Sequence, residues 1–463
     1  MRLKPRLQLV LLLAVAAAAA IAYYRYRPDV GSLIGFRPEP PSALAERTKA
    51  EFVHAWDGFK EHAWGHDELA PLSLAPRDWH DVPLLMTEVD SLDALLVMGL
   101  DEEAARTKTH ILTALSFDED ITVKVFEITI RLLGGLLSAH QMTGDPKLLA
   151  LAEDLGNRLL PAFDSPTGMP YRFVNLKTGE TSGAETNPAE VGTLLLEFGT
   201  LGRLTGRDAF YDRAKQALVA LHDRRARATG LVGDWINVET GEYSGTTSHI
   251  GGGIDSYYEY LLKCERLFGD ADCGRMWKDG VAAVNRYLAD EVDGGLWYGE
   301  ADMTTGARTA TTYGALQAFF PAVLALGGDL ERARRLQESG FRMWTLTGVE
   351  PEELDYSTMT ITSESYQLRP EFVESAYYLF HYTKDPRYRE MGRAVLDGLI
   401  ARCRTESGYT TLRSVKTWEK GDRMHSFLLT ETFKYLYLLF DPSAVDFEAV
   451  VFNTEAHPLR RTW

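Results

Sequence analysis

Cysteine is scarce in this chain, with three in 463 residues, so no disulfide framework holds the fold together. Cys264 and Cys273 flank a predicted turn and could pair in an oxidising compartment or stay as buried thiols. Cys403 is left over and is expected in the core. Basic charge is also short: 49 Lys and Arg against 66 Asp and Glu leave a formal charge of -17. Nucleic acid and anionic membrane surfaces repel a polyanion, so neither is expected as a partner. Strand-like alternation is sparse and confined to short pieces such as Tyr171–Leu176 and Gly295–Tyr298. Past the N-terminus, no apolar run is long enough to span a membrane.

What is present is a large store of core residues, 45% hydrophobic and 11% aromatic. Length alone suggests two or three domains, or one large toroid. Arg2, Lys4 and Arg6 precede Leu7–Tyr24, an apolar run broken only by Gln8. Residues 1–27 therefore read as a signal peptide or signal anchor, which exports the bulk to a periplasmic or other extracytoplasmic compartment. Any membrane contact would pass through that segment alone. Residues 28–42, rich in Pro, Gly and Ser, read as a linker, leaving 43–463 as a single catalytic domain, expected to be monomeric.

That domain is patterned as helices. MTGDP (142–146), LTGRD (204–208), FGDAD (268–272), LGGDL (326–330) and YTKDP (382–386) each follow an apolar helix and precede an amphipathic one. They recur about every 60 residues, as repeated hairpins would. Gly with Asp or Pro at these places stops one helix and caps the next. An earlier turn at MGLDEE (98–103), and a last pairing of Met424–Phe440 with Ser42–Ala63, bring the hairpins to seven. Leading helices such as FEITIRLLGGLLSAH (126–140) are apolar nearly all round, while trailing ones such as FYDRAKQALVALHD (210–223) keep a polar face. Two concentric rings satisfy both patterns, so the fold expected is all-α, an (α/α)7 barrel. A stacked superhelix would not need such uniformly apolar inner helices.

Near the start of successive inner helices sits an acid: Asp90, Glu127, Glu190, Asp255 and Glu371. Alone, each reads as a cap or a dipole partner. In register, they converge on one end of a barrel. A cavity lined by carboxylates and by aromatics (Trp56, Trp64, Trp235, Tyr257, Tyr258) suits carbohydrate, and glycoside hydrolysis needs one acid to protonate the leaving oxygen and another to activate water or attack the sugar.

The stretches FVHAWDGFKEHAWGHDELAPLS (52–73), DSLDALLVMGL (90–100), FEITIRLLGGLLSAH (126–140), EVGTLLLEFGTL (190–201), DSYYEYLLK (255–263), LRPEFVES (368–375), ETFKYLYLLF (431–440) and VFNTEAHP (451–458) together resemble the family 47 glycoside hydrolases, the class I α-1,2-mannosidases. LQAFFPAVLALGGD (316–329) is closer to the degradation-enhancing mannosidase-like branch. The resemblance implies an (α/α)7 barrel and a Ca²⁺-dependent, inverting exo-α-1,2-mannosidase acting on mannose-containing oligosaccharides or glycans. It implies Glu127 as an acid working through a water, Asp255 beside the glycosidic oxygen and Glu371 as the base. It implies Asp67, Glu68, Asp90, Arg131, Glu190, Arg369, Glu374, His425 and Glu455 as sugar-contacting or carboxylate-holding residues. Thr454 would bind Ca²⁺ through its carbonyl and hydroxyl oxygens.

Two positions depart from the family. Met424-His425-Ser426-Phe427 stands where the family commonly reads MESF, and Gly253 stands where processing members often carry Arg. The His425 substitution supports an alternative function, a mannose-glycan-binding protein with vestigial hydrolysis. The end of the chain poses its own question. Val450–Phe452 is apolar and FNTEAHP follows at once, close to a terminus, where chains usually fray. With the toroid, the expected answer is a plug that carries Thr454 up the central hole.

Overall fold

The computed structural model describes residues 39–461, so the expected leader and most of the expected linker lie outside the described residues. The linker's last two residues do not belong to it. The first helix is Pro41–His62, with Pro at N1 supplying a preset φ where no amide partner is needed.

The helices form two rings. The inner ring runs through Met86–Val97, Gly134–Thr143, Leu195–Thr205, Asp255–Phe268, Phe320–Leu326, Glu371–Thr383 and Lys434–Phe440. The outer partners are Asp101–Ala114, Pro146–Leu159, Asp208–His222, Ala271–Tyr287, Leu330–Thr345, Arg387–Arg402 and Pro41–His62, the last closing the ring against Lys434–Phe440. The caps follow the sequence signals. Gly144, Gly206 and Gly269 end inner helices at φ of 71°, 70° and 69°, and Asp145, Asp270 and Asp329 accept N–H groups of the outer helices that follow. Burial follows the asymmetry: 255–268 is buried along most of its length, whereas 101–114 buries Ala104, Thr107 and Ile111.

The inner helices are less regular than expected. A π-turn at Thr129–Leu133 interrupts the 126–140 helix, a second spans Leu428–Phe433, and a break at Thr193–Leu194 splits 191–204. Met424 is not helical as expected. It bridges to Leu69, its N–H donating to the Leu69 carbonyl at 2.9 Å, so the last inner helix begins only near Leu428.

Short strands pair into small antiparallel sheets between outer and inner helices. Thr122–Lys124 pairs with Phe173–Asn175 just before Glu127, and Glu185–Thr186 pairs with Trp235–Asn237 just before Glu190. These hairpins wall the end of the barrel where the inner helices begin. The chain's end enters from the other side: Val450–Phe452 pairs with Pro458–Arg460, and the turn between them is buried, with Asn453, Ala456 and His457 at 0% exposure. Among the described residues, no helix is long and apolar enough to cross a membrane. Cys264 and Cys273 form a disulfide within one helical hairpin, and Cys403 is free and buried.

Candidate active site

A cavity of about 500 Å³ opens where the inner helices begin. Glu127, Glu190, Asp255, Glu371, Glu374, Arg131, Arg369, Thr454 and Glu455 all line it. Asp255 and Glu371 are each the first residue of an inner helix, so their carboxyls stand at its rim beside unsatisfied helical N–H groups. Glu190 is the third residue after the Asn187 cap, whose side chain accepts the Glu190 N–H at 3.0 Å.

The carboxyls differ in charge state. Burial pushes Glu127 up, but the opposing charges of Arg131 (Nε at 3.1 Å) and Lys124 (Nζ at 3.4 Å) hold it below the usual range. Burial raises Asp255 to about 7, with Glu259 adding to the shift and the Ser256 N–H at 2.7 Å working against it. Burial also raises Glu371 to about 7 against the pull of Arg369. Its Oε2 is buried with no hydrogen-bond partner. Glu374, Glu431 and Glu455 are all raised, by burial first and then by neighbouring charges of like sign.

Arg131 organises this floor. It pairs with Glu127, Glu455 and, at 3.6 Å, Asp90, and lies 5.6 Å from the ring of Phe427. The π-turn at Thr129–Leu133 lies between Glu127 and Gly134, a placement π-turns often take at functional sites. Arg369 binds Glu352 (Nε at 3.1 Å) rather than Glu371, on which it acts through space.

Thr454 sits at the tip of the terminal hairpin, its N–H donating to Tyr260 Oη at 3.3 Å. Asn453 fastens the tip: its Oδ1 accepts the N–H groups of Glu455 and His457, and its Nδ2 donates to Glu197 and the Ile130 carbonyl. His457 bridges Asp93 (Nδ1 at 2.7 Å) and Asp90 (Nε2 at 3.1 Å). Thr454 lines the same cavity as Glu371, Glu374, Glu431 and Glu455, and a lining of hydroxyl, carbonyl and carboxyl oxygens suits a hard divalent cation.

Four expected contact residues do not reach the cavity. Asp67 is fully buried, accepting N–H groups of Trp79 (2.9 Å), Leu84 (2.8 Å) and Met86 (3.1 Å), so its carboxylate is spent on folding that loop. Glu68 is paired with Arg423 (2.7 Å) and His425 (3.3 Å), which outweigh burial and hold it near 2. Asp90 lies under the plug on His457. His425 stacks on Phe427 at 4.7 Å, so it stands behind a cavity wall. Of the five aromatics expected to line the cavity, only Trp235 does so. Trp56, Tyr257 and Tyr258 are core, and Trp64 stacks on His110 at 4.9 Å.

Glu431 and Glu259 line the cavity and were not anticipated. Each is an acid on the buried face of an inner helix, flanked by apolar and aromatic residues, which is the signal that could have found them. Lys124, Arg172 and Glu352 come from loops and strands and carry no such signal.

The family model for glycosyl hydrolase family 47 matches residues 51–461. The chain is 39% identical over 448 residues to Alpha-mannosidase I MNS5 of Arabidopsis thaliana, covering 90% of this chain and 77% of that one. It is 37% identical over 463 residues to human ER degradation-enhancing alpha-mannosidase-like protein 2, covering 92% and 78%. In structure it is similar to an alpha-1,2-mannosidase from Trichoderma reesei, at a TM-score of 0.84 and 26% identity over 91% of this chain and 99% of that one. By the extent of these matches and the barrel they share, the chain belongs to glycosyl hydrolase family 47.

Proposed function

We propose that this protein is a Ca²⁺-dependent, inverting exo-α-1,2-mannosidase that removes terminal α-1,2-linked mannose from oligosaccharides or glycans. The observation that carries the reading is the pair Asp255 and Glu371: two buried carboxyls, each at the start of an inner helix, both lining one cavity with Thr454. Inversion needs a protonated group for the leaving oxygen and an ionised one to take a proton from water on the opposite face.

Asp255, raised to about 7 by burial, gives its proton to the leaving oxygen. Glu371, whose Oε2 is free of other partners, takes the proton of the attacking water, and Arg369 favours its ionised form. Glu127 stays ionised between Arg131 and Lys124, so it positions the water beside the leaving oxygen rather than storing the proton. Glu190, Glu374 and Glu455 accept hydrogen bonds from sugar hydroxyls. Thr454 would hold Ca²⁺ through its hydroxyl and carbonyl oxygens, and the bound ion would polarise the water and hydroxyls beside it.

An extracytoplasmic location is supported by the basic-then-apolar N-terminus, by the Cys264–Cys273 disulfide and by relatives named for the endoplasmic reticulum. The test is mannose release from α-1,2-mannobiose by the wild-type chain and by Glu371→Gln. Loss of turnover in the variant supports the assignment, and full activity overturns it.

A further inference from the structure

Trp235 is unlike the other large aromatics expected at the site. It lines the cavity and is 39% exposed. Exposing part of an indole forgoes hydrophobic burial, so its placement calls for a reason. The backbone there is specialised. Trp235–Asn237 is the middle strand between Glu185–Thr186 and Tyr243–Gly245, and the register shifts between Trp235 and Ile236. Such a bulge re-aims a side chain, and here Ile236 is fully buried while Trp235 faces outward. Opposite Trp235 is Gly245, where a Cβ would come within 2.1 Å of Asp234 Oδ1, so only glycine leaves Asp234 its position.

The ring is held. The Arg172 guanidinium lies 5.5 Å from its centroid, and Arg172 is fixed on Glu190 at 2.9 and 3.1 Å. Glu190 is itself held by Thr186 and Lys124, both at 2.9 Å. Beside the ring, Asp234 also lines the cavity, and its Oδ1 is buried without a hydrogen-bond partner. A braced, half-open indole next to a cavity-lining carboxylate suits one ligand class: a pyranose, with its C–H face on the ring and a hydroxyl donating to Asp234.

We propose that Trp235 and Asp234 form a platform for an outer sugar of the glycan, beyond the disaccharide that is cleaved, and that this platform selects for longer mannose oligosaccharides. The proposal rests on the mannosidase reading and deepens it. Trp235 is a specificity-determining residue and takes no part in bond cleavage.

The test compares wild type, Trp235→Ala and Trp235→Phe on α-1,2-mannobiose and on a linear α-1,2-linked mannotetraose. Trp235→Ala is expected to raise KM for the tetraose about tenfold, with kcat within about twofold and a much smaller rise in KM for mannobiose. Trp235→Phe should recover most of the loss. No change on either substrate, or an equal change on both, overturns the platform. If wild type cleaves neither substrate, the mannosidase reading fails instead. Calorimetric titration with mannotetraose then decides the platform: about tenfold weaker binding by Trp235→Ala supports it, and equal binding or none by either protein overturns it.

Discussion

Lys434 donates from Nζ to the carbonyl of Ala456 at 2.8 Å, at the bottom of the barrel where both residues have 0% exposure. A second buried ammonium, Lys263, reaches the Asn453 carbonyl at 3.5 Å, so two cations hold the backbone on either side of Thr454. Lys434 also meets Asp93 at 2.6 Å, and Asp93 meets His457. The terminal turn is thereby welded to helices from opposite ends of the sequence. Lys434→Met leaves Asp93 short of a partner and is expected to cost about 3 kcal/mol. Denaturant melts check the stability, and calorimetry on the folded variant should show weaker Ca²⁺ binding.

The proton source is tested by pH dependence. Asp255→Asn is expected to lower kcat between about a hundredfold and ten-thousandfold and to abolish the limb of the pH–rate profile near 7 set by that carboxyl. Glu127→Gln should also slow turnover but keep that limb, because Glu127 is already ionised there. The opposite pattern would restore Glu127 as the donor.

Chelated protein should lose stability as pH rises. Asp255 and Glu371 sit at about 7 when folded, against about 4 in an unfolded chain. The folded state therefore holds more protons, and the stability this confers is present below about pH 4 and is lost as pH climbs through 7. Ca²⁺ favours the ionised form of the carboxylates that share the cavity with Thr454, so it should raise Tm more at about pH 8 than at about pH 5. Thermal melts with EDTA or Ca²⁺ at the two values decide the sign.

Glu350 gives a separate test. It is fully buried, neither oxygen has a hydrogen-bond partner, and burial together with Glu371 and Glu352 raises it well above the carboxylate range. By the same sign, Glu350→Gln should raise Tm by about 2 °C at about pH 8 and leave it unchanged below about pH 4, where the carboxyl is protonated in the folded and unfolded chain alike. Equal Tm values at both pH values would contradict this.

The sequence carried the architecture because helix caps and apolar faces are local. Gly144, Gly206 and Gly269 with the Asp residues after them marked the hairpins, and the inner-helix acids marked one end of the barrel. It also pointed to the buried turn, since Val450–Phe452 demanded a covered strand. Asp67 and Glu68 lie outside the cavity lining, which their sequence setting does not reveal, because an acid in a cleft-like motif reads alike whether it binds sugar or backbone amides. The Trp79, Leu84 and Met86 amides that consume Asp67 are set by a loop fold with no periodic signal. The setting of His425 is hidden for a related reason: its partner Glu68 comes from the other end of the chain, across the Leu69–Met424 bridge. The π-turns at Thr129–Leu133 and Leu428–Phe433 were invisible because they add one residue to an otherwise ordinary helical pattern.

The central claim is inverting, metal-dependent hydrolysis at Asp255 and Glu371. Its most direct test follows the anomer of mannose released from α-1,2-mannobiose by proton NMR, with and without EDTA. β-Mannose is expected as the first product, with no turnover in EDTA and recovery on adding Ca²⁺. α-Mannose appearing first, or undiminished turnover in EDTA, would contradict it.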